Sequence, residues 1–234
     1  MNPLLVALDV DAAAEALALA DALRGVAGGF KIGSRLFTAE GPGIVSRLVE
    51  RGDRVFLDLK FHDIPSTVAG AVDAATRLGV WMLNVHASGG LEMMRAAKAA
   101  AAEASAKAGR TTPLVIAVTV LTSLDAQGLG NTGVAGDVEQ QVDRLARLTS
   151  AAGLDGIVAS PQEAARIRGW ADRRFLIVTP GIRSGARTDD QARTSGAADA
   201  LRAGASYLVV GRPIIKAADP RRAAQEIVEQ IAGQ

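Results

Sequence analysis

Val55-Phe56-Leu57-Asp58-Leu59-Lys60-Phe61-His62-Asp63-Ile64-Pro65-Ser66-Thr67 is the stretch on which the fold turns. Val55, Phe56, Leu57 and Leu59 are apolar and suit a β-strand. Alternate side chains of a strand share a face, so Asp58 and Lys60 point the same way. Asp63 follows three residues after Lys60, and Pro65 soon ends any hydrogen-bonded ladder. Charges at the end of an apolar strand are costly to bury. On Asp-x-Lys alone two readings stay open: a structural ion pair, or a lysine held between carboxylates for chemistry. The longer pattern, Asp58-x-Lys60-x-x-Asp63 followed by Ile64-Pro65-x-Thr67, is much more specific.

To either side of this stretch, short apolar runs alternate with alanine-rich helical ones. The pattern predicts strands over 4–8, 29–32, 53–59, 81–85, 114–120, 156–159, 174–178 and 207–210. It predicts helices over 12–23, 43–51, 66–78, 91–107, 138–152, 161–168, 197–203 and 220–231, with Asp11 a candidate N-cap for the first. Gly128, Gly130, Gly133 and Gly136 make the loop over 122–136 an irregular one, and residues 180–193 form a second, polar loop. Such alternation demands parallel strands joined by helical crossovers. Eight units in 234 residues fit an α/β fold of the TIM (β/α)8 barrel type, one catalytic domain over 1–234. A doubly wound open sheet is the alternative, weakened by the lack of Gly-x-Gly-x-x-Gly after the first strand.

Composition narrows the function classes. Lys plus Arg total 26 against 25 acidic residues, a balance without the basic excess of a nucleic-acid or membrane-surface protein. Cysteine is absent, which removes disulfides, thiolate nucleophiles and thiolate metal sites. The start, Met1-Asn2-Pro3-Leu4-Leu5, has no basic leader pattern, and Asp9 and Asp11 interrupt its apolar run, so a cytoplasmic protein is expected.

In a barrel the active site lies at the C-terminal ends of the strands. The conspicuous polar residues fall there: Asp9, Lys31, Asp58, Lys60, His86, Thr122, Ser123, Pro180 to Arg183, Gly211 and Arg212. Gly211-Arg212 after the eighth strand sits where such barrels hold phosphate, glycine letting backbone N–H groups approach and arginine offering a fork; a plain Gly-Arg-Pro turn is the alternative. His62 and His86 without further ligands at metal spacing read as a rim histidine and a buried, hydrogen-bonded one. Met93 and Met94 read as packing residues, and Lys98, Glu103 and Lys107 as the solvated face of their helix.

The central stretch resembles the active-site signature of the orotidine 5′-phosphate decarboxylase family. The resemblance extends, in the family's order, through Val6-Ala7-Leu8-Asp9, Lys31-Ile32-Gly33, Asn84-Val85-His86-Ala87, Thr119-Val120-Leu121-Thr122-Ser123, Thr179-Pro180-Gly181-Ile182-Arg183 and Val210-Gly211-Arg212-Pro213. It implies decarboxylation of orotidine 5′-monophosphate to uridine 5′-monophosphate in pyrimidine synthesis, without cofactor or metal. It implies Lys60 as proton donor, Asp58 and Asp63 as its carboxylate partners, and Asp9 and Lys31 as ribose contacts. Thr122 and Ser123 become contacts to the pyrimidine edge, with Pro180 and Gly211 among the substrate contacts and Arg183, Gln191 and Arg212 on the phosphate side. In that family Asp63 and Thr67 serve the neighbouring subunit of a homodimer, and Ile64 is a further substrate-binding position. Two rivals remain: the sister phosphosugar aldolases and decarboxylases, which share Asp-x-Lys-x-x-Asp but use magnesium, and an idle barrel that binds a phosphorylated metabolite as a sensor. Ile64-Pro65-x-Thr67 and Val120-Leu121-Thr122-Ser123 favour the nucleotide enzyme over the first. The intact Asp58-Lys60-Asp63 set argues against the second.

Overall fold

Strand β1, Leu4–Ala7, is buried at every position, the pattern of a parallel strand covered on both faces. The computed structural model describes residues 2–182 and 196–232, and in it β1 opens a closed barrel of eight parallel strands. The others are β2 Gly29–Gly33, β3 Val55–Phe61, β4 Met82–His86, β5 Leu114–Val118, β6 Gly156–Val158, β7 Leu176–Thr179 and β8 Tyr207–Val210. Closure is direct: Leu4 stands opposite Leu208 and Val6 opposite Val210. Around the strands lie α1 Ala13–Leu23, α2 Ser34–Glu40, α3 Gly43–Glu50, α4 Pro65–Arg77, α5 Gly90–Ala108 and α6 Ala126–Asn131. They continue with α7 Val138–Ala151, α8 Pro161–Arg168, α9 Ala197–Arg202, α10 Arg212–Ile215 and α11 Pro220–Ala232.

Residue parity divides the core in two. Leu4, Val6 and Leu8 pack outward with helix residues such as Ala16, Ala20 and Leu23. Leu5 and Ala7 point inward, where they meet Phe56, Met82, Ile116, Val178 and Val209. Arg54, Trp81 and Tyr207 close the N-terminal mouth: the two rings meet edge-on at 5.2 Å and the Arg54 guanidinium lies 5.7 Å from the Trp81 ring centre. The inward parity continues towards the other mouth, from Ala7 to Asp9, from Phe56 to Asp58 and Lys60, and from Met82 to Asn84. Thus the positions that fill the barrel with hydrocarbon at one end deliver charge at the other.

Several local expectations need correction. Residues 34–40 form a helix that the apolar pattern does not announce. Within the loop over 122–136, α6 forms despite its glycines, because the Asp125 carboxylate accepts from the Gly128 N–H at 2.8 Å and caps its start. Asp11 is not the cap of α1: that position is Ala12, and Asp11 instead pairs with Arg35. The open Ala13 N–H at that helix start donates to Glu40 of α2 at 2.8 Å, a tertiary cap between residues distant in sequence. Strand β3 runs on to Phe61, two residues past its expected end. Lys98 is not simply solvated; its ammonium meets Asp155 at 2.6 Å, while Asp155 also accepts the Val115 N–H at 2.7 Å. Glu103 and Lys107 do lie exposed and paired, and Met93 and Met94 are buried.

A close approach between β6 and β7 generates a test. A Cβ built on Gly156 of β6 would lie 2.2 Å from the Leu176 carbonyl oxygen of β7, which is backbone and cannot swing aside. Gly156→Ala is expected to lower stability by about 1–3 kcal/mol through overpacking, measured by urea unfolding. Gly43→Ala, whose Cβ would meet open space, is expected to shift stability by no more than about 1 kcal/mol.

Candidate active site

At the C-terminal mouth the strand ends enclose a cavity of about 360 Å³. Asp9, Lys31, Asp58 and Lys60 line one side of it. Thr122, Ser123, Pro180, Gly211 and Arg212 line the rest of the rim. Phe56, Val118, Val158, Val178 and Val209 form an apolar floor. Most of the sequence-predicted site residues therefore converge on one space, although they come from six of the eight strand ends and are brought together only by folding.

The charges on the first side form a chain of alternating sign. Asp9 accepts from Lys31 at 3.1 Å, Lys31 lies 3.2 Å from the second oxygen of Asp58, and Lys60 donates to the first oxygen of Asp58 at 2.7 Å. Lys31 and Asp58 are buried, so neither is tolerable alone. Burial works against the Lys31 charge, but the Asp58 and Asp9 carboxylates outweigh it and raise its pKa. Burial likewise disfavours ionised Asp58, yet Lys31, Lys60 and the hydrogen bonds from Lys60 and Asn84 hold it below the usual carboxylate range. Room for this packing comes from Gly33, where a Cβ would stand 2.9 Å from the Lys31 ammonium.

Lys60 reaches the cavity through an unusual backbone. Its φ of 53° is the only positive value at a non-glycine among the described residues, a conformation that costs about 1–3 kcal/mol outside glycine. The β3–β4 ladder pairs Leu57 with Leu83 and next pairs Phe61 with Val85, so Asp58, Leu59 and Lys60 stand against Asn84 alone. Such a bulge bends the strand and re-aims its side chains. Asn84 is fully buried and bridges the irregularity: its amide oxygen accepts the Lys60 N–H at 2.8 Å and its amide nitrogen donates to Asp58 at 2.7 Å. Sequence reasoning passed over Asn84 as a site residue. The signal was there, since an amide in the middle of Met82-Leu83-Asn84-Val85 needs a buried partner.

Other expected residues lie elsewhere. Asp63, Ile64 and Thr67 are exposed and do not line the cavity of their own chain. The Asp63 carboxylate accepts its neighbour Ile64's N–H at 2.6 Å, so within one chain Lys60 has Asp58 beside it and is not bracketed by Asp63. Arg183 and Gln191 fall outside the described residues. His86 is half-buried rather than buried, and it packs its ring against exposed His62 at 5.4 Å. Burial, His62 and the Lys60 cation push the His86 imidazole below its ordinary pKa, with Asp58 opposing them. Among the described residues no group of three or more His, Cys, Asp or Glu is arranged to hold a metal ion, and no helix is long and apolar enough to cross a membrane.

The charge chain sets a pH dependence. Because the folded pKa of Asp58 is depressed, its ionised form contributes stability that is complete above the unfolded value of about 3.9 and is lost as pH falls through the lower folded value. Lys31→Met removes one of its two cations. Its acid unfolding is expected to begin at higher pH than in the parent. At neutral pH the loss should be at most about 3–5 kcal/mol, the range for breaking a buried pair, because Lys60 remains. Urea unfolding across the acid range checks both; an unmoved acid limb would show that Lys31 is not what holds Asp58 ionised.

Comparison with known proteins agrees with this geometry. The family model described as orotidine 5'-phosphate decarboxylase / HUMPS family matches residues 2–227. A curated orotidine 5'-phosphate decarboxylase of Moorella thermoacetica is 54% identical over 232 residues, covering 98% of this chain and 92% of that protein. One from Halorhodospira halophila is also 54% identical, over 98% of this chain and 95% of that protein. Among solved structures, the orotidine 5'-phosphate decarboxylase of Lactobacillus acidophilus superposes with a TM-score of 0.88 at 34% identity, covering 99% of each chain. With a matching motif set, a matching barrel and relatives of this similarity along its length, the chain belongs to the orotidine 5'-phosphate decarboxylase / HUMPS family.

Proposed function

We propose that this protein decarboxylates orotidine 5′-monophosphate to uridine 5′-monophosphate and CO2, with Lys60 as the proton donor. The observation that carries this reading is the Lys60 ammonium, held 2.7 Å from Asp58 at the wall of the cavity, in a chain of this family. When the bond between the pyrimidine C6 and its carboxylate breaks, the electron pair stays on C6 and CO2 departs. A fixed cation beside that carbon stabilises the developing charge, and its proton then moves to C6. Lys60 is left as a neutral amine and regains a proton from water. The apolar floor strengthens these interactions by lowering the local dielectric. Asp58 holds Lys60 aimed through the 2.7 Å contact.

The remaining roles follow the same reading. Gly211 and Arg212, with Arg183 and Gln191, take the phosphate. Asp9 and Lys31 contact the ribose; Thr122, Ser123 and Pro180 contact the base. Asp63, Ile64 and Thr67 complete the site of a second subunit in a homodimer. Support for that arrangement is their exposure off the wall of their own cavity, Ile64 being 64% exposed. No step requires a metal or an organic cofactor. A phosphorylated substrate, which does not cross membranes unaided, accords with a cytoplasmic location.

Loss of orotidine monophosphate absorbance on adding the purified protein tests the reaction. Lys60→Ala is expected to lower kcat/KM by several orders of magnitude, at about 1.4 kcal/mol per tenfold; retention of more than about a tenth would remove Lys60 from its role. Activity is expected to survive EDTA dialysis, and loss restored by magnesium would move the chemistry to the sister phosphosugar enzymes.

The shared site has its own test. Lys60→Ala and Asp63→Ala homodimers are each expected to be nearly inactive. Mixed, dissociated and re-paired at random, about half the dimers carry one chain of each kind, with one whole site of two, so about a quarter of the activity returns. No recovery, with mixed dimers confirmed by mass, would place Asp63 in the same chain's site as Lys60.

A further inference from the structure

We propose that Asn84 is a positioning residue of this site, whose single amide sets both the left-handed backbone of Lys60 and the orientation of the Asp58 carboxylate. The inference rests on the reading of Lys60 as proton donor. It starts from the bulge, where three residues of β3 face Asn84 alone. Regular alternation would turn the Lys60 N–H away from β4, since Val55 faces β4 and Arg54 faces β2; with the bulge it faces β4, where the Asn84 side-chain oxygen accepts it at 2.8 Å. The amide nitrogen, 2.7 Å from Asp58, gives that carboxylate a neutral donor beside the two lysines.

Both bonds fix the amide's orientation. Flipping it would set its NH2 against the Lys60 N–H and its oxygen against a carboxylate, two donor–donor and acceptor–acceptor clashes. No other side chain fills the role. Serine and threonine are too short to reach both partners, glutamine is a methylene too long, and aspartate lacks the donor unless protonated. Since Lys60 Nζ and Asn84 Nδ2 bind the same oxygen of Asp58, a shift of Asn84 moves the lysine's counter-ion and its backbone together. The charged groups around the amide are Asp58 and Lys60 on β3, with Lys31 on β2 and Asp9 after β1 beyond them, and His86 two positions on along β4.

The experiment assays wild type, Lys60→Ala, Asn84→Ala and Asn84→Asp for kcat, KM, uridine monophosphate affinity and thermal melting. Asn84→Ala is expected to lose roughly 100-fold in kcat through misplacement of Lys60, with uridine monophosphate affinity changed by less than about threefold, because the product has no carboxylate and awaits no proton. A kcat within about threefold of wild type, or equal losses of kcat and product affinity, overturns the proposal. Asn84→Asp preserves volume and so covers the case in which the alanine variant fails to fold. It can reproduce both bonds only when a proton is shared between its carboxyl and that of Asp58, since two carboxylates in contact cannot both ionise. Its kcat relative to wild type is therefore expected to climb at least about tenfold as pH falls from about 8 to about 5, measured below its melting temperature at each pH. A flat ratio overturns the proposal. If Lys60→Ala itself stays active, the reading of Lys60 fails and this inference with it. If Lys60→Ala is inactive while both Asn84 variants match wild type, only the inference about Asn84 fails.

Discussion

The ionised carboxylate of Asp58, buried at the end of β3, is the constraint around which this site is arranged. A lone carboxylate there would take up a proton or disrupt the fold. Lys31 on the neighbouring strand and Lys60 two residues on along its own strand prevent both, and Asn84 satisfies its remaining demand from the third side. Lys31 in turn needs Asp9, so four side chains from three consecutive strand ends form a set with no net charge. The set depends on register: Gly33 stands opposite Asp58, and its missing Cβ is what lets the Lys31 ammonium lie between the two strands. Slipping β2 against β3 by one residue would turn Lys31 out of the barrel and leave Asp58 with half its compensation.

A regular strand would not present Lys60 as it is presented. Extended backbone throughout β3 would leave Lys60 in line after Asp58, its N–H turned toward β2 beyond that strand's last pairing at Gly33. Instead the strand bulges against β4 and Lys60 adopts a left-handed conformation, uncommon for a residue with a long side chain. Strain of this kind persists only where the surroundings over-determine it. Here those surroundings are the Asn84 amide, the Asp58 ion pair, and the resumption of pairing at Phe61. The bulge sits beside the cavity rather than at the barrel's far mouth, where the packing is aromatic and the strands run regularly.

The cavity divides its chemistry by side. Charge gathers at the ends of β1, β2 and β3, hydrocarbon lines the floor, and Gly211 and Arg212 stand after β8, next to β1 around the closed barrel. A substrate with a phosphate at one end and an ionised carboxylate at the other suits such a space, and the proposed reaction makes use of both ends. Asp63, Ile64 and Thr67 are exposed, next to the site in sequence but off its wall, which is the placement the proposed homodimer makes use of.

Much of this was legible without coordinates. Strand and helix periodicity determine the eightfold alternation, and with it a parallel sheet under helices, because apolar runs of that length are buried that way; closure into a barrel rather than an open sheet rests on the pairing of β1 with β8. The identities of Asp9, Lys31, Asp58, Lys60, Gly211 and Arg212 as rim residues follow from their places at strand ends. The pairing among them does not. Asp9 and Lys31 read as separate ribose contacts along the chain, and only closure of β1 onto β2 and β2 onto β3 joins them to Asp58 as one electrostatic unit. Likewise the cap on α1 comes from Glu40 and not from adjacent Asp11, because a carboxylate 27 residues away is brought closer in space. The bulge at Lys60 and its bridge to Asn84 leave no periodic trace, since they arise from register between two strands and not from any property of either one. Local pattern determined which residues meet solvent, hydrocarbon or the mouth of the barrel. Tertiary structure decided which charge answers which, because that depends on distances between residues far apart in sequence.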